Sequence, residues 1–242
     1  MKCVIIAAGQ GLRLREIAPL KPLAPLWGTP IIAHVIDCAL AGGATEFVVV
    51  TGYEGDHLEK FLYSLAAARG LRLNCIRNPN WKASNGLSVA AAGPVLHGKF
   101  LLLMSDHLFE PEIVRELLRA GEQKDGVVLA VDRRLDSPFV DLEDVTRVDV
   151  AEDGRIRRIG KLIDSYNAFD TGVFLASPQL IEAIEASVAA GGIGSISEGM
   201  QRLAEQGLAS AYDIGERFWI DIDDPTAFGL AESQAGRMMV TQ

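Results

Sequence analysis

Short apolar runs alternate along the chain with segments whose apolar residues recur at helical spacing. Residues 46–51 and 99–105 are apolar almost without interruption, which is typical of parallel strands covered on both faces. The predicted strands are residues 3–8, 46–51, 71–77, 99–105 and 126–131, and the predicted helices are residues 31–41, 56–68, 86–92 and 111–120. This alternation predicts an α/β fold with a doubly wound, mostly parallel sheet.

The pattern changes after about residue 133. Residues 146–151 and 155–159 flank Asp153-Gly154, a strong hairpin signal, and residues 169–175 predict a further strand. Ser177-Pro178 and Asp224-Pro225 each predict the capped start of a helix. We expect a small β-rich insertion and C-terminal helices on the same core, and therefore a single domain over residues 1–242.

A glycine turn, Gly9-Gln10-Gly11, follows the first predicted strand, and Arg13 and Lys21 come soon after it. Glycines allow backbone N–H groups to approach an anion closely, because no Cβ intervenes. The two basic side chains add full positive charge beside that turn. The pattern predicts a cradle for a nucleoside triphosphate at the carboxyl end of a strand, where such sheets bind ligands. A purely structural turn is the alternative.

Carboxylates follow two other apolar runs. Asp106 ends one run, and Asp221 and Asp223 lie on one side of a later run, because side chains alternate along a strand. Mg²⁺ is usually bound by one or two carboxylates together with substrate phosphates and water. The sequence therefore predicts a magnesium site at these strand ends. Capping roles are the alternative, although Asp224, directly before Pro225, is the better cap candidate.

Composition narrows the range of partners and compartments. A net charge of −9 argues against a nucleic-acid polymer as partner, since that would require a basic face. Cys3, Cys38 and Cys75 are odd in number and lack metal-ligand spacing, so we expect reduced thiols in a cytoplasmic protein. The chain opens on a strand and has no apolar run near about 18 residues, so we expect neither a signal peptide nor membrane insertion.

Three motifs carry a family resemblance. Ala7-Ala8-Gly9-Gln10-Gly11-Leu12-Arg13-Leu14, Lys21-Pro22-Leu23 and Gly28-Thr29-Pro30 resemble the signature of sugar-phosphate nucleotidyltransferases. Leu12 stands where that signature has Ser or Thr, and Leu20 where it has Pro. The first change removes a hydroxyl that could contact a phosphate and leaves the backbone donors in place. The resemblance implies a Rossmann-like, GT-A-like fold and an enzyme that releases pyrophosphate.

Later motifs extend the resemblance over nearly the whole chain. They are Met104-Ser105-Asp106-His107, the run from Val140-Asp141-Leu142 through Ile159-Gly160-Lys161, then Phe169-Asp170-Thr171-Gly172, and Trp219-Ile220-Asp221-Ile222-Asp223. Together they are similar to the cytidylyltransferase domains that make CDP-inositol, in several members fused to a membrane-embedded alcohol phosphotransferase. The resemblance implies CTP, a small phosphorylated acceptor such as inositol-1-phosphate, and Mg²⁺.

Other functions remain open at this point. Enzymes acting on another sugar-1-phosphate, on phosphocholine or on a phosphonate share much of the same pattern. A non-catalytic nucleotide sensor would not need Arg13, Lys21, Asp106, Lys161 and Asp223 together. A glycosyltransferase of related architecture would have an acidic metal-binding pair, but we would not expect the Arg13 and Lys21 pair in it.

The resemblance also implies a role for each matching residue. The implied catalytic residues are Arg13, Lys21 and Lys161. The implied nucleotide-binding residues are Ala7, Ala8, Gly9, Gln10, Gly11, Arg13, Lys21, Ser84, Asn85 and Gly86. The implied acceptor-binding residues are His107, Lys161, Asp170, Thr171 and Gly172. The implied metal ligands are Asp106 and Asp223, with Asp221 open between a ligand and a supporting carboxylate.

These assignments divide the chain into two parts. Residues 1–132 would mainly bind the nucleotide, and residues 133–242 would mainly bind the acceptor. The resemblance also implies that residues 78–88 form a loop against the nucleobase. From the residues alone, this segment could be a plain surface loop, and Lys161 could be a solvated edge charge. The sequence does not decide whether the protein forms a homo-oligomer.

Overall fold

A computed structural model describes residues 1–236, so the last six residues of the predicted domain lie outside the described part. The strands are β1 (Lys2–Ala7), β2 (Pro25–Leu26), β3 (Thr29–Pro30), β4 (Glu46–Thr51), β5 (Leu73–Arg77), β6 (Phe100–Met104), β7 (His107–Phe109), β8 (Val127–Asp132), β9 (Arg147–Val150), β10 (Ile156–Gly160), β11 (Ala168–Ala176), β12 (Ala209–Asp213) and β13 (Trp219–Asp221). The helices are α1 (Ile31–Gly42), α2 (Gly55–Arg69), α3 (Gly86–Ala91), α4 (Pro111–Ala120), α5 (Pro178–Ala189), α6 (Ile196–Glu205) and α7 (Pro225–Glu232). Short 3₁₀ turns lie at Leu12–Leu14, Lys21–Leu23 and Gly93–Val95.

A nine-stranded sheet forms the centre of the molecule. Its main path is β10-β9-β11-β6-β1-β4-β5, and β8 joins β11 and β12 beside that path. Strands β1, β4, β5 and β6 pair in parallel, whereas β11 runs antiparallel to β6, β8 and β9. Only β10 and β11 therefore oppose the other described strands of this sheet. The doubly wound, mostly parallel fold predicted from the sequence is confirmed.

Side chains of β1 alternate between two separate cores, one on each face of the sheet. Cys3 and Ile5 pack with residues of α1, α2 and α4 on one face. Val4 and Ile6 pack with residues of α3, α5 and α6 on the other face. Both faces are thus covered, which is why the central strands are apolar without interruption.

The predicted hairpin adds to the main sheet instead of forming a second core. Strands β9 and β10 pair with each other, and β9 then joins β11 through Ala168 and Phe169. Strands β2, β3, β7 and β12 and helix α6 were not predicted from the sequence. Strand β12 has the weakly β-forming sequence Ala-Ser-Ala-Tyr-Asp and owes its extended form to parallel pairing with β8. Helix α6 carries a capping box of Ser195 and Glu198, a signal that the sequence did offer.

The predicted cap at the last helix is confirmed. Asp224 has extended backbone angles, and its Oδ1 accepts a hydrogen bond of 2.8 Å from the backbone N–H of Ala227. Pro225 occupies the first turn. The cap ends β13 and begins α7 within a few residues, and so fixes the backbone on the far side of Asp221 and Asp223.

The cap predicts a measurable contribution to stability. We expect Asp224→Ala to lower the free energy of unfolding by about 1 kcal/mol, the usual cost of a lost N-cap bond. Asp224→Asn keeps an acceptor oxygen and should stay near wild type. Ser177 precedes Pro178 in the same way but makes no capping bond, so Ser177→Ala is the matched control. Equal losses in Asp224→Ala and Ser177→Ala, measured by urea denaturation, would contradict the prediction.

Candidate active site

The two carboxylate motifs meet through a small ribbon beside the main sheet. Strands β7 and β13 pair antiparallel, which places Asp221 opposite His107. One residue further along, the N–H of Ile222 donates to the carbonyl oxygen of Asp106 at 3.0 Å. Backbone pairing therefore brings together two motifs that lie more than a hundred residues apart in the sequence, as the predicted metal site requires.

Lys21 lies between these carboxylates with only 6% of its side chain exposed. Its ammonium group is 2.6 Å from Asp106 Oδ2 and also contacts Asp223 Oδ1. Burial works against the charge, but Asp106, Asp221 and Asp223 outweigh it and raise the pKa of Lys21 above its ordinary value. Gly11 makes room for this lysine: its φ is +57°, and a Cβ there would lie 2.4 Å from Lys21 Cβ.

A carboxylate that the sequence did not predict connects the two presumed halves of the chain. Asp144 Oδ2 accepts a bond of 2.6 Å from Arg13, and its Oδ1 contacts the ammonium of Lys161. Arg13 also donates to Asp223 Oδ2 at 2.5 Å. Lys161 and Arg13 together hold the pKa of Asp144 well below its usual range. Lys161, in the part expected to bind the acceptor, is thus connected through Asp144 to Arg13 beside the glycine turn.

Cations and carboxylates alternate through the whole site. The order is Lys161, Asp144, Arg13, Asp223, Lys21, Asp106, His107 and Asp221. We call this set the charge chain. It begins at the predicted acceptor lysine and ends at the ribbon of β7 and β13. Each carboxylate faces at least one cation, which is the condition under which several acidic groups can share a poorly solvated site.

His107 donates from both ring nitrogens. Nδ1 is 2.8 Å from the carbonyl oxygen of Thr171, which can only accept, and Nε2 is 3.3 Å from Asp221 Oδ2. Burial disfavours the charged ring, but Asp221 and Asp106 outweigh it and raise the pKa of His107 to about 10. Trp219 stacks on the ring with a centroid distance of 6.1 Å. The indole N–H donates to buried Asp132 at 2.8 Å, which fixes that stack in place.

The acidic cluster fits a divalent cation. Ligand atoms of Asp106, His107 and Asp221 all lie within 4.8 Å of one another. Asp221 Oδ1 is buried and has no hydrogen-bond partner, so it is available to a ligand. Carboxylate oxygens suit a hard cation, whereas both nitrogens of His107 are already used as donors. Both oxygens of Asp223 face Arg13 and Lys21, while burial and Asp221 raise the pKa of Asp223 to about 6.

A cavity of about 410 Å³ opens beside the charge chain. It is lined by four of the five predicted acceptor residues, His107, Lys161, Asp170 and Gly172, and by Asn85 of the predicted base loop. Asp170 Oδ1 accepts from the N–H of Gly172 at 2.8 Å, and burial raises the pKa of Asp170 to about 6. Thr171 is completely buried and gives its hydroxyl hydrogen to Ala130 O at 2.8 Å. Its side chain therefore supports the strand instead of lining the cavity.

Sequence reasoning missed several cavity-lining residues. They are Met104, Pro138, Phe139, Val140, Asp141, Asp144, Val145, Thr146, Phe174, Ile196, Ser197, Trp219, Asp224, Thr226, Ala227 and Leu230. Most of them come from the segment before β9 and from the starts of α6 and α7. Several of them lie within the family motifs, but the motifs gave them no role in lining a cavity, because only the packing of these three segments brings them together.

The predicted nucleotide residues form a second group at the end of β1. Ala7 ends β1, and the carbonyl oxygen of Ala8 accepts from Tyr53 N at 3.0 Å. A Cβ at Gly9 would meet no atom within 4 Å, so the turn beside Gln10 has an open side. This arrangement is compatible with the predicted phosphate cradle, which stays a prediction.

The predicted base loop has a structural role of its own. Ser84 and Asn85 lead into α3, and Asn85 Oδ1 accepts from Ile196 N at 3.1 Å. A Cβ at Gly86 would lie 2.3 Å from the carbonyl oxygen of Gly194. Close packing against the start of α6 therefore accounts for both Asn85 and Gly86, and their contact with a nucleobase stays a prediction.

The fold is that of a nucleotidyltransferase. Residues 3–208 match the MobA-like NTP transferase domain family, and the chain belongs to that family. A relative from Rubrobacter xylanophilus, named "Bifunctional IPC transferase and DIPP synthase", is 36% identical over 231 residues, covering 94% of this chain and 50% of its own length. The "CMP-5'-(3-aminopropyl)phosphonate synthase" of Streptomyces rubellomurinus is 29% identical over 93% of this chain and 37% of its own length.

A solved structure is similar over both whole chains. The "inositol-1-phosphate CTP transferase from T. maritima" superposes with a TM-score of 0.81 at 28% identity, covering 97% of this chain and 96% of that one. The chain spans about half the length of the first curated relatives that it matches. Within residues 1–236, none of the helices combines the length and the apolar character needed to cross a bilayer.

The close approach of Gly172 to His107 allows a test of how rigidly the imidazole is held. The φ of Gly172 is +74°, and a Cβ there would lie 2.3 Å from His107 Nδ1. Gly191 has a φ of +89° but open space around it, so Gly191→Ala isolates the backbone cost of about 1–2 kcal/mol. We expect Gly172→Ala to lose a further 1–3 kcal/mol or so, because the imidazole must move. If urea denaturation gives the same loss of unfolding free energy for both variants, the imidazole of His107 can move aside without measurable cost.

Proposed function

We propose that the chain transfers CMP from CTP to inositol-1-phosphate, giving CDP-inositol and pyrophosphate. The observation that carries the proposal is the charge chain, which joins Lys21 and Arg13 beside the glycine turn to Lys161 at the cavity. The names of the Rubrobacter relative and of the T. maritima structure support the choice of reaction. We also propose a cytoplasmic enzyme, because Cys3, Cys38 and Cys75 are free thiols.

The proposed reaction is a single in-line displacement. An oxygen of the acceptor's phosphate attacks the α-phosphorus of CTP, the bond from that phosphorus to the bridging oxygen breaks, and pyrophosphate leaves with its electron pair. The acceptor is already an anion, so the protein need supply no nucleophile. The obstacle is repulsion between two anions, so positioning and charge neutralisation are what the site must provide.

Three cations of the charge chain have a place in this scheme. Arg13 and the amides of Gly9, Gln10 and Gly11 would hold the β- and γ-phosphates. Lys21, buried and charged, would stabilise the charge that develops at the α-phosphate. Lys161 would bind the acceptor's phosphate, since it lines the cavity on the other side of Asp144.

Mg²⁺ is the proposed cofactor. Asp106 would hold it with Asp223 or Asp221, and Asp221 Oδ1 is the oxygen that lacks a protein partner. When bound, the ion would supply positive charge close to the phosphate oxygens. The side chain of Asp223 is also held by Arg13 and Lys21, so its orientation is fixed by protein contacts.

The substrate proposal is tested by pyrophosphate release. CTP, UTP, dTTP, ATP and GTP are each combined with inositol-1-phosphate, glucose-1-phosphate, phosphocholine and 3-aminopropylphosphonate. We expect release to be fastest with CTP and inositol-1-phosphate, and CDP-inositol to appear in equal amount. Faster release with the phosphonate would assign the chain to the reaction named for the Streptomyces relative. No release with any pair would favour a nucleotide-sensing role.

The metal assignment predicts the loss of most turnover in Asp106→Asn and in Asp223→Asn. Each change removes one charged ligand from a cation with few protein ligands, and we expect kcat to fall by about 10²-fold or more. Asp125→Asn is the control, because Asp125 is exposed and precedes β8 at the opposite end of the sheet. Circular dichroism verifies folding. Near-normal Mg²⁺-dependent activity in either variant would remove that residue from the metal site.

A further inference from the structure

The carboxylate of Asp144 contacts both Arg13, expected to bind the nucleotide, and Lys161, expected to bind the acceptor. We propose that Asp144 is a positioning residue that fixes Arg13 and Lys161 relative to each other for the two reacting phosphates. The proposal rests on the proposed function, because it assigns Arg13 to the nucleotide and Lys161 to the acceptor. It adds a residue to which the sequence analysis gave no role.

The two carboxylate oxygens of Asp144 contact different cations. Oδ2 accepts from Arg13 at 2.6 Å, and Oδ1 contacts the ammonium group of Lys161. The side chains of Arg13 and Lys161 are 51% and 56% exposed, whereas that of Asp144 is 29% exposed. Without Asp144, Lys161 would sample more rotamers and Arg13 would be held, among the described residues, by Asp223 alone. The half-buried carboxylate between the two cations therefore limits their positions relative to each other.

The backbone holds Asp144 in place. The N–H groups of Asp144 and Val145 both donate to the carbonyl oxygen of Asp141, at 3.2 and 2.9 Å, and form a single tight turn. Asp141 Oδ1 closes the start of that turn by accepting from Glu143 N at 2.9 Å. Val145 packs against the apolar core that contains α1 and α4. The carboxylate is therefore anchored to the sheet, while the cations that it contacts are the longer and freer partners.

Asp144 need not leave when phosphates bind. An ammonium group has three donors and a guanidinium has five, so each cation keeps N–H groups for a phosphate oxygen while it contacts Asp144. Asp144 also lines the cavity beside Lys161. A carboxylate in this place keeps both cations close to each other beside the cavity, and each retains N–H donors for a phosphate. Competition with the phosphates for the same cations is the opposing hypothesis, and it predicts the opposite sign of effect.

The experiment compares Asp144→Asn with Glu143→Gln. Glu143 is exposed and one residue away, so the control removes the same charge without touching either cation. We expect Asp144→Asn to lower kcat/KM for inositol-1-phosphate by about 10–100-fold, as displaced positioning groups do, with both a lower kcat and a higher KM. Asp144→Glu should recover part of the loss. Glu143→Gln should keep wild-type constants.

A double-mutant cycle tests the route of the effect. If Asp144 acts on the acceptor through Lys161, then Asp144→Asn should change the KM for inositol-1-phosphate little once Lys161→Ala is present. Additive losses would overturn the proposal. So would a lower KM in Asp144→Asn, which would indicate competition, or unchanged constants with a lower Tm, which would indicate a role in stability alone.

Different results would contradict the proposed function and the positioning role of Asp144. A wild-type protein that makes no CDP-inositol from CTP and inositol-1-phosphate contradicts the proposed function. Calorimetry with pyrophosphate then still tests the Arg13 half of the inference, because that anion needs no turnover. We expect Asp144→Asn to bind pyrophosphate at least about fivefold more weakly than Glu143→Gln does. Equal or tighter binding would overturn the positioning role.

Discussion

A buried ammonium group among carboxylates is the interaction on which the site depends. Asp106, Asp221 and Asp223 converge from two motifs at the edge of the sheet, and their mutual repulsion in a poorly solvated place would be costly. Lys21, only 6% exposed, offsets that repulsion with contacts to Asp106 and Asp223. Gly11 in turn admits the lysine. The glycine turn thus acts on the acidic cluster through Lys21, besides any contact with phosphate.

The ribbon of β7 and β13 shows how a small element outside the main sheet controls the chemistry. It sets Asp221 against His107, and Trp219 two residues earlier stacks on the same imidazole. The indole N–H is fixed by Asp132, a fully buried carboxylate that also pairs with Arg134. A continuous series of contacts therefore connects the end of β8 with the candidate metal ligands. A displaced indole would also move the imidazole of His107, which faces both Asp221 and Asp106.

Prediction from the sequence succeeded where one short segment carries its own signal. The apolar runs identified β1, β4, β6 and β8 to within a residue or two at each end. The phosphate site that the glycine turn, Arg13 and Lys21 indicate stays a prediction. It could not reach Asp144 or the indole bond to Asp132, because those contacts join segments about 130 and 90 residues apart. Strand β12 was equally hidden, since its pairing with β8 and not its own propensity makes it extended.

The charge chain also gives a physical reason for the proposed Mg²⁺. Its cations, Arg13, Lys21, His107 and Lys161, are matched in number by its carboxylates, Asp106, Asp144, Asp221 and Asp223. A balanced cluster in a chain of net charge −9 has little positive field to attract a triphosphate and a phosphorylated acceptor together. Close N–H donors can orient those anions, but they do not neutralise them. A divalent cation arriving with the nucleotide would add the missing positive charge at the carboxylates, and would leave Arg13 and Lys161 free to set the direction of attack.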